Sequence, residues 1–251
     1  MKVKPSIVPN FFTMANMFCG YYSIILASQA SPDKSFFYTR AAWFIVAAAV
    51  LDVLDGKLAR LTKASSPFGV QYDSLADVVS FGIAPSFLAY QVFFNQWDFI
   101  GMLISFMPFV FGSIRLARFN IGKTEDKDYF EGIPTTAAAV TIATFVVFNY
   151  RFWDTLRWSK LFLVILIFLS IMMISLIRYE KMPNFTLHTN TRKRLKMLFV
   201  ILGMIIIIFS PHEVFFPVAI LYCLSGPVRV LWIIINPDKA NKINENTDSI
   251  K

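Results

Sequence analysis

Residues 51–82 read LDVLDGKLARLTKASSPFGVQYDSLADVVSFG and set four aspartates, Asp52, Asp55, Asp73 and Asp77, between apolar runs. Ionisable groups at membrane depth are costly to hold, and by default they mark a functional site. Working outward, the flanking sequence is membrane-like throughout. The chain has 251 residues, 56% of them hydrophobic, with a mean hydropathy of +0.57. That is too apolar for an ordinary soluble domain and fits a polytopic membrane protein of one domain.

Eight apolar runs approach the roughly 17–25 residues that cross a bilayer as a helix. They lie at 11–29, 41–61, 70–93, 97–119, 135–152, 161–177, 197–210 and 214–235, the seventh being the shortest. The expected fold is all-α: a polytopic membrane helical bundle of about eight transmembrane helices spanning residues 1–236. The polar tail 237–251 is expected to be disordered. No internal repeat or low-complexity tract is visible. The basic start Met1-Lys-Val-Lys and the small residues of ASQAS at 27–31 have the features of a secretory signal. The many spans that follow favour a retained first helix.

The net charge is +8. With no soluble domain to carry a basic groove, this charge points to anionic lipid headgroups and excludes nucleic acid as a partner. With eight spans, both termini share one side. The loops on that side carry 18 of the 24 Lys and Arg residues. The opposite loops hold only Lys34, Arg40, Arg151, Arg157 and Lys160, and Arg229 lies within the last span. The positive-inside rule therefore puts both termini, and both ends of the aspartate cluster, on the cytoplasmic face of the inner membrane. The basic run TRKRLK at 191–196 reads as part of that topology signal, with anionic-lipid binding as the other reading. Trp97, Tyr150, Trp153 and Trp158 read as interface anchors. Cys19 and Cys223 read as small core residues. His188 and His212 lie far apart in sequence, and neither begins a recognisable metal-ligand pair.

Asp52 and Asp55 are three residues apart and Asp73 and Asp77 four, so each pair shares one face of a helix. Two helices joined by a short turn in TKASSPFG would aim both faces at one pocket. Four ionised carboxylates there repel one another unless they take up protons or cations. Hard divalent cations prefer oxygen ligands, and two of them bridged by shared aspartates clamp a phosphoryl centre. Small residues beside the acids, Gly56 and Ala59, leave room for a bulky polar ligand such as a nucleotide. Arg60 offers a planar fork for phosphate. Ser65 and Ser66 add hydroxyls to the turn, and Gly69 permits a backbone conformation that other residues resist. Two other readings stay open on these residues alone: a proton relay or cation-transport site, and carboxylates paired with Lys57, Arg60 and Lys63.

The fixed pattern Asp52-x2-Asp55-Gly56-x2-Ala59-Arg60-x8-Gly69-x3-Asp73-x3-Asp77 resembles the complete signature of the CDP-alcohol phosphotransferase family. The resemblance implies transfer of a substituted phosphoryl group from a CDP-linked donor to an alcohol, with release of CMP. It implies Mg²⁺ or Mn²⁺, two per site, held by Asp52, Asp55, Asp73 and Asp77, with Asp77 also the general base on the acceptor hydroxyl. It carries donor contacts to Gly56, Arg60 and Ser66, beside Ala59 and Gly69 of the same signature. Further stretches resemble the branch of the family that uses serine: VPNFFTMANMFCGYYSI at 8–24, SSPFGVQYDSLADVVSFGIAP at 65–85, RLARFN at 115–120 and FEGIPTTAAA at 130–139. In the last, Thr135 and Thr136 precede the alanines where relatives more often have Pro-Ile-Pro or similar. That branch implies CDP-diacylglycerol and L-serine as substrates and a homodimer. Arg115, Arg118 and Asn120, at the cytoplasmic end of the fourth span, are candidates for the serine carboxylate. Positive-inside anchoring explains the two arginines equally well. Glycerol 3-phosphate or an inositol phosphate as acceptor is the alternative within the family.

Overall fold

A computed structural model of the chain describes residues 7–62, 66–121, 129–180 and 210–235. It is a bundle of helices with one short two-stranded ribbon. Helix α1 (Ile7–Ser28) buries Thr13, Asn16, Gly20, Ser23 and Ala27, spaced three and four apart along one face. Its opposite face exposes Phe11, Met14, Phe18 and Tyr21. The arrangement inverts that of a soluble helix, because lipid accepts large apolar side chains while small and polar residues let helices approach. Helix α2 (Phe36–Thr62) meets α1 with Ala41, Ala42, Ile45, Ala48 and Ala49, all buried. Ser23 Oγ donates to the Ala41 carbonyl at 2.8 Å across this contact.

The third membrane segment runs from Pro67 to Val92 but is not one regular helix. It comprises α3 (Pro67–Asp77), a π-helical turn (Val78–Ile83) and α4 (Ala84–Val92). Pro85 lies just past the π turn. It has no N–H to donate, and its ring presses on the carbonyl four residues earlier, which a wider turn accommodates. The Ala84 N–H accordingly bonds back five residues to the Val79 carbonyl. Helix α5 (Asp98–Ile121) contains Pro108, and the neighbouring Phe109 N–H donates to Ser86 Oγ of α4 at 3.1 Å.

Helix α6 (Thr135–Trp153) is the centre of the bundle: 11 of its 19 residues are buried, from Thr135 to Asn149. Helices α7 (Ser159–Ile174) and α8 (Pro211–Ile235) follow among the described residues, and α8 buries little beyond Cys223 and Gly226. The ribbon pairs β1 (Tyr129–Glu131) with β2 (Arg178–Glu180) antiparallel, Phe130 opposite Tyr179. Gly132, at φ +69°, turns the chain from β1 towards α6 against the carbonyls of Met172, Met173 and Ser175. Tyr179 is fully buried, its hydroxyl donates to the Cys223 carbonyl at 3.0 Å, and its ring lies against Gly226.

Among the described residues, five helical stretches are long and apolar enough to cross a membrane: Phe11–Ser28, Phe36–Leu58, Pro67–Val92, Phe94–Ile121 and Pro211–Ile235. Helix α7, with 16 residues, is a shorter apolar helix. Helix α6 matches the fifth expected span but is rich in Ala and Thr, as suits a helix that meets protein more than lipid. The seventh expected span, 197–210, and the tail, 237–251, lie outside the described residues. Contacts from Trp43 to His212 (5.1 Å between ring centroids) and from Arg151 to Glu213 (3.7 Å) put the starts of α2 and α8 and the end of α6 at one end of the bundle. The aspartates lie at the other end.

Candidate functional site

Asp52 and Asp55 sit one turn apart on α2, and Asp73 and Asp77 one turn apart on α3. The start of α3 is built by Ser66 and Pro67. Ser66 caps the helix, its Oγ accepting the Gly69 N–H at 3.0 Å, and Pro67 follows at a position where its missing N–H costs nothing. Pro67 and Gly69 therefore belong to the helix and not to a turn. Gly69 is not among the residues with positive φ, so its place in the signature is not explained by a special backbone conformation.

The two helices bring the acids together as the spacing anticipates. One carboxylate oxygen each from Asp52, Asp55 and Asp73 lie within 4.8 Å of one another. Asp55 and Asp77 are buried, and Asp52 and Asp73 half-buried. Among the described residues, three side chains from outside the pair of helices donate to these acids. Thr13 Oγ1 of α1 donates to Asp55 Oδ2 at 2.8 Å, Asn16 Nδ2 of α1 to Asp77 Oδ1 at 3.4 Å, and Thr136 Oγ1 of α6 to Asp52 Oδ2 at 3.4 Å. Asp73 Oδ1 is buried with no hydrogen-bond partner. A compact set of hard oxygen donors, one of them unsatisfied, fits a divalent cation. The cluster can therefore hold a metal ion through Asp52, Asp55 and Asp73.

The π turn follows Asp77 directly and changes the helical register there. Asp73 and Asp77 face the pocket, while Ser80 turns to α1 and donates through Oγ to the Asn16 carbonyl at 2.9 Å. Gly20 makes this crossing possible: a Cβ there would lie 2.5 Å from Ser80 Oγ and 2.6 Å from its Cα.

Of the remaining expected residues, Gly56 lies on α2 beside Asp55, and Ser66 and Gly69 lie at the start of α3. Ala59 and Arg60 fall in the last turns of α2, and their side chains lie outside the described residues, as do Lys63 and Ser65. The three candidates for the serine carboxylate each have a partner in a different element. Arg118 is exposed and its Nη1 donates to the Ile174 carbonyl at the end of α7, at 3.1 Å, a favourable place for a cation. Asn120 Nδ2 donates to Ser74 Oγ of α3 at 3.0 Å, and Arg115 lies within electrostatic reach of Tyr222 of α8. Thr13 and Asn16 are partners of the acids that the sequence reading does not single out, and Thr136 stands there only as a departure from the pattern of relatives. The available signal is a polar pair, Thr13 and Asn16, three apart in the first half of a largely apolar span.

Residues 6–172 match the family model described as CDP-alcohol phosphatidyltransferase. The chain is 40% identical over 240 residues to a CDP-diacylglycerol–serine O-phosphatidyltransferase of Helicobacter pylori, covering 94% of this chain and 96% of that one. It is 38% identical over 161 residues to the Saccharomyces cerevisiae enzyme of the same name, covering 60% and 58% of the two chains. It is 34% identical over 179 residues to an archaetidylserine synthase of Methanothermobacter thermautotrophicus, covering 70% and 71%. A helical membrane bundle that gathers the signature acids at one end, matched over two thirds of its length by the family model, belongs to the CDP-alcohol phosphatidyltransferase family.

Proposed function

We propose that this protein is a phosphatidylserine synthase of the cytoplasmic membrane, transferring the phosphatidyl group of CDP-diacylglycerol to L-serine. The observation that carries the reading is the convergence of Asp52, Asp55 and Asp73 within 4.8 Å at one end of a membrane bundle, with Asp77 one turn beyond Asp73. The full-length similarity to the Helicobacter protein supports serine as the acceptor.

In this reading the serine oxygen forms a bond to the phosphorus that carries diacylglycerol. The bond from that phosphorus to the CMP oxygen breaks, and the serine hydroxyl proton passes to Asp77 as general base. Asp52, Asp55 and Asp73 would hold Mg²⁺ or Mn²⁺, with Asp77 beside a second ion. Such ions, when bound, neutralise the donor phosphates and the charge on departing CMP. Gly56, Ala59, Arg60, Ser66 and Gly69 form the donor side of the site, at the cytoplasmic face. Attack is direct, since the signature offers no separate nucleophile, and a phosphatidylated protein accumulating without serine would overturn that. The working form is a homodimer, to be checked by mass measurement in mild detergent.

The test is CMP release from CDP-diacylglycerol by the purified protein, with Mn²⁺, Mg²⁺ or chelator, and with or without serine. Serine-dependent release, abolished by chelator and restored by metal, is expected. Release only with glycerol 3-phosphate or an inositol phosphate would replace the acceptor. Ion flux in liposomes without CMP release would replace the reaction with transport.

A further inference from the structure

Asn16 is wholly buried in the face of α1 that lines the acid pocket. The residue is held at two points: Nδ2 donates to Asp77 Oδ1 at 3.4 Å, and its backbone carbonyl accepts Ser80 Oγ at 2.9 Å. With Asp77 ionised, the amide nitrogen must be the atom that faces it, because the reverse assignment would set two acceptors against each other. That leaves Oδ1, a buried acceptor with no hydrogen-bond partner. An orphan of this kind is unfavourable in the resting protein and is tolerated where a ligand supplies the missing donor. The acids of the pocket, when ionised, are themselves acceptors and cannot supply it. Its contact is with Asp77, the acid proposed as base, and not with the three carboxylates that lie within 4.8 Å of one another.

We infer that Asn16 belongs to the acceptor subsite, where its Oδ1 receives a hydrogen bond from the ammonium group of the amino-alcohol substrate. This rests on the serine-transferase reading above. In serine the hydroxyl and the ammonium occupy adjacent carbons. A hydroxyl offered to Asp77 therefore brings the ammonium to the wall beside it, where Asn16 lies. A neutral amide oxygen suits this contact, because it accepts from the ammonium without adding a further charge to a pocket already rich in carboxylates. Asn16 would thus distinguish acceptors that carry an ammonium from those that do not.

The experiment compares wild type with Asn16→Leu in mild detergent, measuring KM for serine, KM for CDP-diacylglycerol and Mn²⁺ affinity by electron paramagnetic resonance. Wild-type turnover with serine tests the enzyme assignment separately from this inference. Loss of a hydrogen bond to a charged group is expected to raise the serine KM about tenfold or more, with donor KM and Mn²⁺ affinity held close to wild type. Inhibition by 3-hydroxypropanoate, which lacks the ammonium, supplies the second arm. It is expected to bind wild type about tenfold more weakly than serine does and Asn16→Leu about equally. If Asn16→Leu does not accumulate, Asn16→Ser takes its place. An unchanged serine KM, an equal penalty on the deaminated analogue, or a parallel loss of Mn²⁺ affinity would overturn the inference, the last by making Asn16 a support of the metal site.

Discussion

Thr13 shows how a single hydroxyl shapes an acid pocket. Its Oγ1 donates to Asp55 Oδ2 at 2.8 Å, the shortest of the three bonds that reach the acids from other helices. Fixing one oxygen leaves the other to face a cation, and supporting contacts of this kind commonly change metal affinity about 10–100-fold. Thr13→Val keeps the shape and removes the donor. It is expected to weaken Mn²⁺ binding about tenfold, with Thr13→Ser restoring most of it, as read by Mn²⁺ titration. The aspartates separate by role on the same scale. Asp52→Asn should abolish CMP release and weaken metal binding. Asp77→Asn should lower kcat about 10²–10⁴-fold while CDP-diacylglycerol still binds, which turnover and donor-binding measurements distinguish. Normal turnover in both variants would remove the acids from the chemistry.

At the scale of the element, the π turn and the α1 crossing hold the two acid-bearing segments in place. Gly20 admits Ser80 at a distance no side chain would allow, and Ser80 follows Asp77 by three residues. Gly20→Ala must therefore push α1 away from the third membrane segment. It is expected to lower stability by about 1–3 kcal/mol and to reduce activity with it, by thermal unfolding and CMP release in parallel. Gly112→Ala is the control, since its Cβ would meet Thr135 Cγ2 at an ordinary 3.5 Å. None of this crossing could be read in the sequence. The acid pairs at three and four residues announce their own helical faces. A membrane helix, however, is apolar all round and carries little periodic signal for its buried side. The small and polar face of α1, Thr13 to Ala27, becomes visible as a face only once its partners are known. Ser66-Pro67 likewise reads as part of a turn within TKASSPFG, although a serine followed by proline also has the form of a helix cap and first turn.

Across the whole molecule, the two ends of the bundle differ in chemistry. One end gathers the α1–α2 connection, the aromatic contacts of Tyr38 with Tyr150 and of Trp43 with His212, and the Arg151–Glu213 pair. The other gathers the aspartates, the end of α5 and the ribbon of β1 and β2. Among the described residues, Lys34, Arg40, Arg151, Arg157 and Lys160 lie towards the first end, and Lys57, Arg115 and Arg118 towards the second. The positive-inside rule assigns the end that carries the aspartates to the cytoplasm, and that assignment can be tested. In a background with Cys19 and Cys223 replaced by alanine, single cysteines at two exposed positions report each end: Asp33→Cys in the α1–α2 connection and Ile121→Cys at the end of α5. A membrane-impermeant maleimide added to intact cells is expected to label the cysteine at 33 at once and the cysteine at 121 only after lysis. The reverse pattern would put the acid pocket on the outer face, away from any cytoplasmic supply of a CDP-linked donor, and would overturn the proposed reaction together with the topology.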